Sequence, residues 1–172
     1  MVFSIQFLNF ITTFTERKTI IMLNIGDKAP AFKGIDQNGQ EVSSEALRGK
    51  KIILYFYPKD NTPGCTAEAC SLRDGYSELK KMGFEVVGVS PDSEASHKKF
   101  ADKQELRFPL IADTDKSIAK AYGVWGLKKF MGREYMGILR TTFIIDQHGM
   151  IEKVFTKVNT KNHFEQIANS YQ

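Results

Sequence analysis

The sequence predicts a single α/β domain: a central mixed sheet flanked by helices, with a β-hairpin at its entrance. Three observations point there. The apolar run Lys51 to Tyr57 reads as a buried strand, and after the turn residues Pro58 to Gly64 the chain resumes as a helix. A second, nearly all-apolar run, Phe84 to Ser90, completes a strand–helix–strand unit, which requires a right-handed crossover between parallel strands. Near the end, Leu139 to Asp146 and Ile151 to Lys157 flank Gln147-His148-Gly149 and read as an antiparallel hairpin. At 172 residues and 42% hydrophobic composition the chain can bury one sizeable core, not two.

The remaining elements follow in order. From Ala31 to Ser44 two short runs flank Asp36-Gln37-Asn38-Gly39, a turn signal for the entrance hairpin. The helix opening at Cys65 carries Ala69, Leu72, Tyr76 and Leu79 at alternating four- and three-residue spacing, so Cys65 shares the core-facing stripe. Gly83 ends it. Ser93 to Lys103 reads as a helix capped by Asp92 or Ser93, Phe108 to Ile111 as a short strand, and Thr114 to Tyr122 as a third helix. Gly123, Gly126, Gly132 and Gly137 predict a long irregular loop, and Thr160 to Ser170 a closing helix. There is no internal repeat or low-complexity tract.

The net charge of +4 comes from 24 basic and 20 acidic residues interspersed along the chain, so no basic block marks a phosphate-binding surface. Nucleic acid is not an expected partner. Two cysteines cannot build a disulfide framework of the secreted kind, which favours a reducing compartment and the cytoplasm. Met1 to Ile21 is fairly apolar but lacks a basic start, and its charges Glu16, Arg17 and Lys18 come late, unlike a signal peptide. Gln6, Asn9 and several threonines interrupt it as a bilayer span, so no membrane association is expected. Met22 directly precedes a well-formed domain start, Leu23 to Pro30. The expected organisation is an extension over 1–21, disordered or upstream of the native start, and one domain over 22–172.

Cys65 is placed for reactivity. A strand that ends at Pro58 and restarts as a helix at Cys65 sets the sulfur beside backbone N–H groups with no helical acceptor. Helix N-termini and nearby cations bring thiol pKa values from ~8.5 to about 7 or below, which raises the share of nucleophilic thiolate. The Thr62 hydroxyl can donate to or accept from that sulfur. Cys70 lies five residues on, about 7.5 Å along the axis and about 140° around it. The usual Cα limit for a disulfide is ~6.8 Å, so the two thiols pair only if the first helical turns unwind. The spacing predicts redox-driven local unfolding from Gly64 to about Leu72.

Other readings of these residues carry less. Both cysteines could be buried packing residues, but packing asks for no sulfur at a helix start. Four residues separate them, which does not match C-x-x-C. His97, His148 and His163 show no ligand spacing to either cysteine and read as surface histidines, so no metal site is expected. Arg140 interrupts an apolar approach to Thr141-Thr142-Phe143-Ile144-Ile145. It reads either as an exposed strand-end arginine or as a cation facing the Cys65 turn, where it would favour thiolate and offer fixed donors. Glu68 reads as a favourable acid in the first helical turn.

Pro58, Thr62 and Cys65 match the P-x-x-x-T-x-x-C signature, and the chain from about Asn24 onward resembles the peroxiredoxins. Thr62-Pro63-Gly64-Cys65-Thr66-Ala67-Glu68-Ala69-Cys70 is similar to the bacterioferritin-comigratory-protein, or Q-type, group. Gly26 to Phe32, Tyr122 to Gly126 and Arg140 to Asp146 support the match. The resemblance implies a thioredoxin-like fold, no metal or organic cofactor, and reduction of hydrogen peroxide and organic hydroperoxides. It implies Cys65 as peroxidatic nucleophile and Cys70 as resolving thiol. Thr62 and Arg140 would position the peroxide, Pro58 would shield the sulfur, and thioredoxin or a similar dithiol would reduce the Cys65–Cys70 disulfide.

The alternatives are a general thiol–disulfide oxidoreductase on the same fold and a non-catalytic thioredoxin-like binding module. No proline precedes Thr142, where thioredoxin-type exchangers keep one, which favours the peroxidase. A monomer is expected because both thiols lie in one helix.

Overall fold

The computed structural model describes residues 21–172; nearly all of the expected extension over 1–21 lies outside them. The main sheet comprises β3 (Lys51–Phe56), β4 (Phe84–Ser90), β5 (Leu110–Ala112), β8 (Thr141–Ile145) and β9 (Ile151–Phe155), in the order β5-β4-β3-β8-β9. β3, β4 and β5 run parallel, while β8 is antiparallel to both β3 and β9. The sheet is therefore mixed, as expected, with the parallel part joined by helices and the antiparallel part by a hairpin.

Alternation along β3 divides the core in two. Ile53 and Tyr55, with Tyr57 just beyond, face Cys65, Ala69 and Leu72 of α1 (Pro63–Asp74), Leu79 of α2 (Tyr76–Lys81), Phe100 of α3 (Glu94–Gln104) and Ile167 of α5 (His163–Asn169). Ile52, Leu54 and Phe56 face Phe32 and the residues Ile118 and Ala119 of α4 (Ser117–Ala121). Both faces are covered, which explains why β3 and β4 are apolar throughout.

The entrance hairpin forms from β1 (Lys33–Ile35) and β2 (Glu41–Ser43), with Asp36 Oδ1 accepting the amides of Asn38 and Gln40. Buried Gln37 ties it to the sheet edge, donating to Phe108 O and accepting from Leu110 N. Asp146 organises the β8–β9 turn in the same way, through the amides of His148 and Met150.

Two expectations need correction. The single helix expected from Cys65 to Gly83 begins earlier, at Pro63 with Thr62 as N-cap, and breaks at Gly75 into α1 and α2. A Cβ at Gly75 would lie 2.1 Å from Phe164 Cγ, so the break sits where α5 packs against the chain. The glycine-spaced loop is a regular hairpin, β6 (Trp125–Phe130) and β7 (Arg133–Ile138). Its turn residues Met131 and Gly132 have φ of 48° and 75°, as a two-residue hairpin turn with matching twist requires. Most of its side chains are exposed on both faces, so it has no alternating apolar pattern to betray it.

Candidate active site

The strand-to-helix turn places Cys65. Proline at the first helical position suits α1, because that residue's N–H has no helical acceptor to lose. The first helical hydrogen bond runs from Thr66 N to Thr62 O, so the amides of Gly64 and Cys65 precede it. The Cys65 side chain is buried in the core-facing stripe, as its spacing predicts.

Antiparallel pairing brings the arginine to it. Phe56 pairs with Thr141, so Arg140, immediately before β8, stands at the end of β3 from which the Cys65 loop departs. Its Nη2 donates to Cys65 Sγ at 3.3 Å. A Cβ at residue 64 would sit 3.3 Å from that same nitrogen, so glycine leaves room for the approach. A fixed positive donor beside sulfur favours the thiolate.

Glu68 requires a correction. It is fully buried, one turn after Cys65, and its Oε2 accepts from Arg140 Nη1. Its Oε1 has no hydrogen-bond partner. Burial pushes its carboxyl up to about 7, against the downward pull of Arg140.

The histidines also depart from expectation: His148 is exposed, but His97 and His163 are fully buried. His163 Nδ1 lies 2.9 Å from Gln166 Oε1 and Nε2 lies 2.8 Å from Thr142 Oγ1. The ring therefore donates at Nδ1 and accepts the threonine hydroxyl at Nε2, a neutral tautomer. Burial lowers its pKa to about 4.

His97 anchors the loop ahead of Cys65. Its Nε2 lies 3.1 Å from Ile111 O and its Nδ1 2.8 Å from Asp60 Oδ2. Asp60 also accepts from the hydroxyls of Tyr57 and Ser96, each at 2.7 Å, and its amide donates to Asp92 Oδ2 at 2.9 Å. Burial pushes the Asp60 carboxyl up, but hydrogen bonds from His97, Ser96 and Tyr57 outweigh it and hold it below the ordinary carboxylate range. Asp60, Asp92 and His97 lie close enough to ligate a cation together. Both ring nitrogens and both Asp60 oxygens already have protein partners, so the cluster is a structural anchor.

The other sequence-predicted residues sit around this frame. Pro58 and Thr62 are half-buried in the loop. The Thr62 hydroxyl donates to Lys59 O at 2.9 Å rather than to sulfur. Cys70, half-buried farther along α1, points its thiol at Gln104 Oε1, 3.4 Å away at the end of α3. Both cysteines are free. A cleft of about 540 Å³ lined by Lys28, Arg48, Ile52 and His148 lies at the opposite end of β3 and holds neither thiol.

The AhpC/TSA family profile matches residues 25–154. This chain belongs to the AhpC/TSA family. Peroxiredoxin Bcp of Escherichia coli K12 is 46% identical over 147 residues, covering 86% of this chain and 94% of that protein. Peroxiredoxin Bcp of Bacillus subtilis 168 is 46% identical over 141 residues, covering 82% and 90%. Among solved structures, bacterioferritin comigratory protein of Xanthomonas campestris aligns with a TM-score of 0.76 at 32% identity, covering 81% of this chain and 88% of that one. A cysteine-to-serine variant of Xylella fastidiosa PrxQ aligns with a TM-score of 0.79 at 30% identity, covering 88% and 96%. The fold is thioredoxin-like, and the chain is a thiol peroxidase of the peroxiredoxin type. Among the described residues, no helix is long and apolar enough to cross a membrane.

Sequence reasoning missed Glu68, Asp60, His97 and His163 as parts of the site. Glu68 had a usable signal, lying three residues after Cys65 and hence on the same side of a helix. The histidines had none, because their partners are 37 and 21 residues away.

Proposed function

We propose that the protein reduces hydrogen peroxide and organic hydroperoxides through Cys65. The observation that carries this reading is Arg140 Nη2 at 3.3 Å from a buried sulfur in the first turn of α1. The thiolate attacks the distal peroxide oxygen; an S–O bond forms, the O–O bond breaks, and the alkoxide leaves and takes up a proton. Arg140 steadies the oxygen on which charge develops. Thr62 spends its hydrogen on Lys59 O, which leaves its lone pairs to accept the hydroperoxide O–H. Pro58 shields the sulfur from solvent.

Cys70 then displaces hydroxide from the Cys65 sulfenic acid, giving a disulfide and water. This step requires α1 to unwind, because an intact helix holds the two Cα atoms beyond disulfide reach. Thioredoxin or a similar dithiol reduces the product. Sulfur is the redox centre, so the cycle uses no cofactor, and one chain holds both thiols, so a cytoplasmic monomer suffices without nucleic acid or membrane. The work on the X. campestris relative concerns alkyl peroxide reduction, which supports organic hydroperoxides as substrates here.

The test is peroxide consumption with thioredoxin as reductant. Cys65→Ser should abolish turnover, and Cys70→Ser should give one rapid oxidation and then stall. Full activity in Cys65→Ser would defeat the assignment.

A further inference from the structure

A second proton-binding group sits inside the site. Glu68 and Cys65 flank the same guanidinium: Nη1 bonds the carboxylate and Nη2 the sulfur. Both side chains are buried, and among the described residues no second cation offsets them. His163, the other basic side chain beside Glu68, lies 3.8 Å from Oε1, but its Nε2 accepts the Thr142 hydroxyl and carries no hydrogen for the carboxylate. Tyr55, from β3, is buried and has an unpartnered hydroxyl. With thiolate and carboxylate both ionised, two buried anions would share one cation.

We propose that Cys65 and Glu68 hold one proton between them beside Arg140, so that Glu68 is a neutral acid while Cys65 is a thiolate. This rests on the peroxidase reading for its role in turnover. Groups coupled this closely titrate as a pair. The unpartnered Oε1 of Glu68 is where the proton resides, since Oε2 is occupied by Arg140. A carboxyl raised to about 7 fits that assignment.

The arrangement has a consequence for the first chemical step. As the sulfur attacks, its negative charge passes to the leaving alkoxide, and Arg140 is left without an anionic partner. Glu68 then ionises and releases its proton to solvent as the alkoxide takes one up. In sum, thiolate, hydroperoxide and carboxylic acid give sulfenic acid, alcohol and carboxylate, so peroxide cleavage requires no net proton from the medium. Glu68 acts through Arg140 and is a positioning and proton-holding residue, distinct from the nucleophile.

Thermodynamic reciprocity supplies the test. Infrared difference spectroscopy of the full-length reduced protein follows the carboxylic acid C=O stretch with pH, assigned by its loss in Glu68→Gln. The midpoint of that band should fall by about one pH unit or more in Cys65→Ser, where no thiolate competes for Arg140. In Glu68→Gln the thiolate midpoint, read by ultraviolet absorbance, should not rise, because glutamine stands in for a carboxyl that is already uncharged when the thiol ionises. A purely structural Glu68 predicts the opposite there, because Arg140 would lose its brace and the thiolate midpoint would rise. The proposal is overturned if the Glu68 band has the same midpoint with and without the Cys65 sulfur, or if Glu68→Gln raises the thiolate midpoint. The Cys65→Ser arm leaves Glu68 in place and needs no peroxide turnover, so it separates this proposal from the peroxidase assignment.

Discussion

His97 Nδ1 meets Asp60 Oδ2 at 2.8 Å, with both side chains almost wholly removed from solvent. The pair fastens the loop that leaves β3 to α3 and, through Ile111 O, to β5. Removing one member leaves the other buried without its partner, which costs about 3–5 kcal/mol. His97→Ala and Asp60→Ala should each lose stability of that order in urea unfolding. The rate of Cys65 oxidation should fall as well, because Asp60 lies two residues before Thr62. Variants with unchanged stability would show that the loop is held by other contacts.

Arg140 serves sulfur and carboxylate at once, through two nitrogens of one planar group. Lysine presents a single charged nitrogen and cannot hold both in that geometry. Arg140→Lys should slow single-turnover oxidation of Cys65 by on the order of a hundredfold, the scale for losing one preorganised donor. Stopped-flow measurement with excess peroxide reads this directly.

Two buried groups tilt stability with pH in opposite directions. Glu68, raised from 4.5 to about 7, binds more proton folded than unfolded, so its contribution is present below about 4.5 and is lost as pH rises toward 7. His163, lowered from 6.5 to about 4, binds less proton folded, so its contribution is present above about 6.5 and is lost as pH falls toward 4. Between about 4.5 and 6.5 the two oppose each other, and the wild-type curve should be shallow there. Glu68→Gln should expose the histidine alone, with stability rising by on the order of 1 kcal/mol per pH unit across that window. Urea midpoints over the pH range check this.

The proposed pairing of Cys65 with Cys70 would unwind α1 between defined borders. Cys70 is latched to Gln104 and Ser71 Oγ accepts the Phe164 amide at 3.0 Å, so these bonds would yield if the thiols pair, whereas the Arg73 bond to Gln104 O lies just past the segment. The Asp60 amide, bound to Asp92 at 2.9 Å, lies outside the segment. Hydrogen exchange should lose protection over residues 66–72, from the first helical hydrogen bond onward, in the oxidised protein while Asp60 keeps its own.

Much of the fold was legible, for particular reasons. β3 and β4 are covered on both faces, which leaves unbroken apolar runs, and Asp36-Gln37-Asn38-Gly39 carries its own turn chemistry. The β6–β7 hairpin was not legible because its exposed faces impose no alternation and its glycines read as breaks. The position of Cys65 follows from a local strand-to-helix turn, which sequence displays. The placement of Arg140 depends on the Phe56–Thr141 register, and that of His97 on the packing of α3, and no local pattern records either. Glu68 was misread because a helix-start acid is usually solvated, whereas this one faces inward beneath Arg140.

The most direct measurement is peptide mass spectrometry after one equivalent of hydroperoxide is added to the reduced protein. The expected result is oxidation confined to Cys65, trapped as sulfenic acid in Cys70→Ser and as a Cys65–Cys70 cross-link in the wild type. A Cys65 thiol left unmodified while the peroxide is consumed would contradict the account.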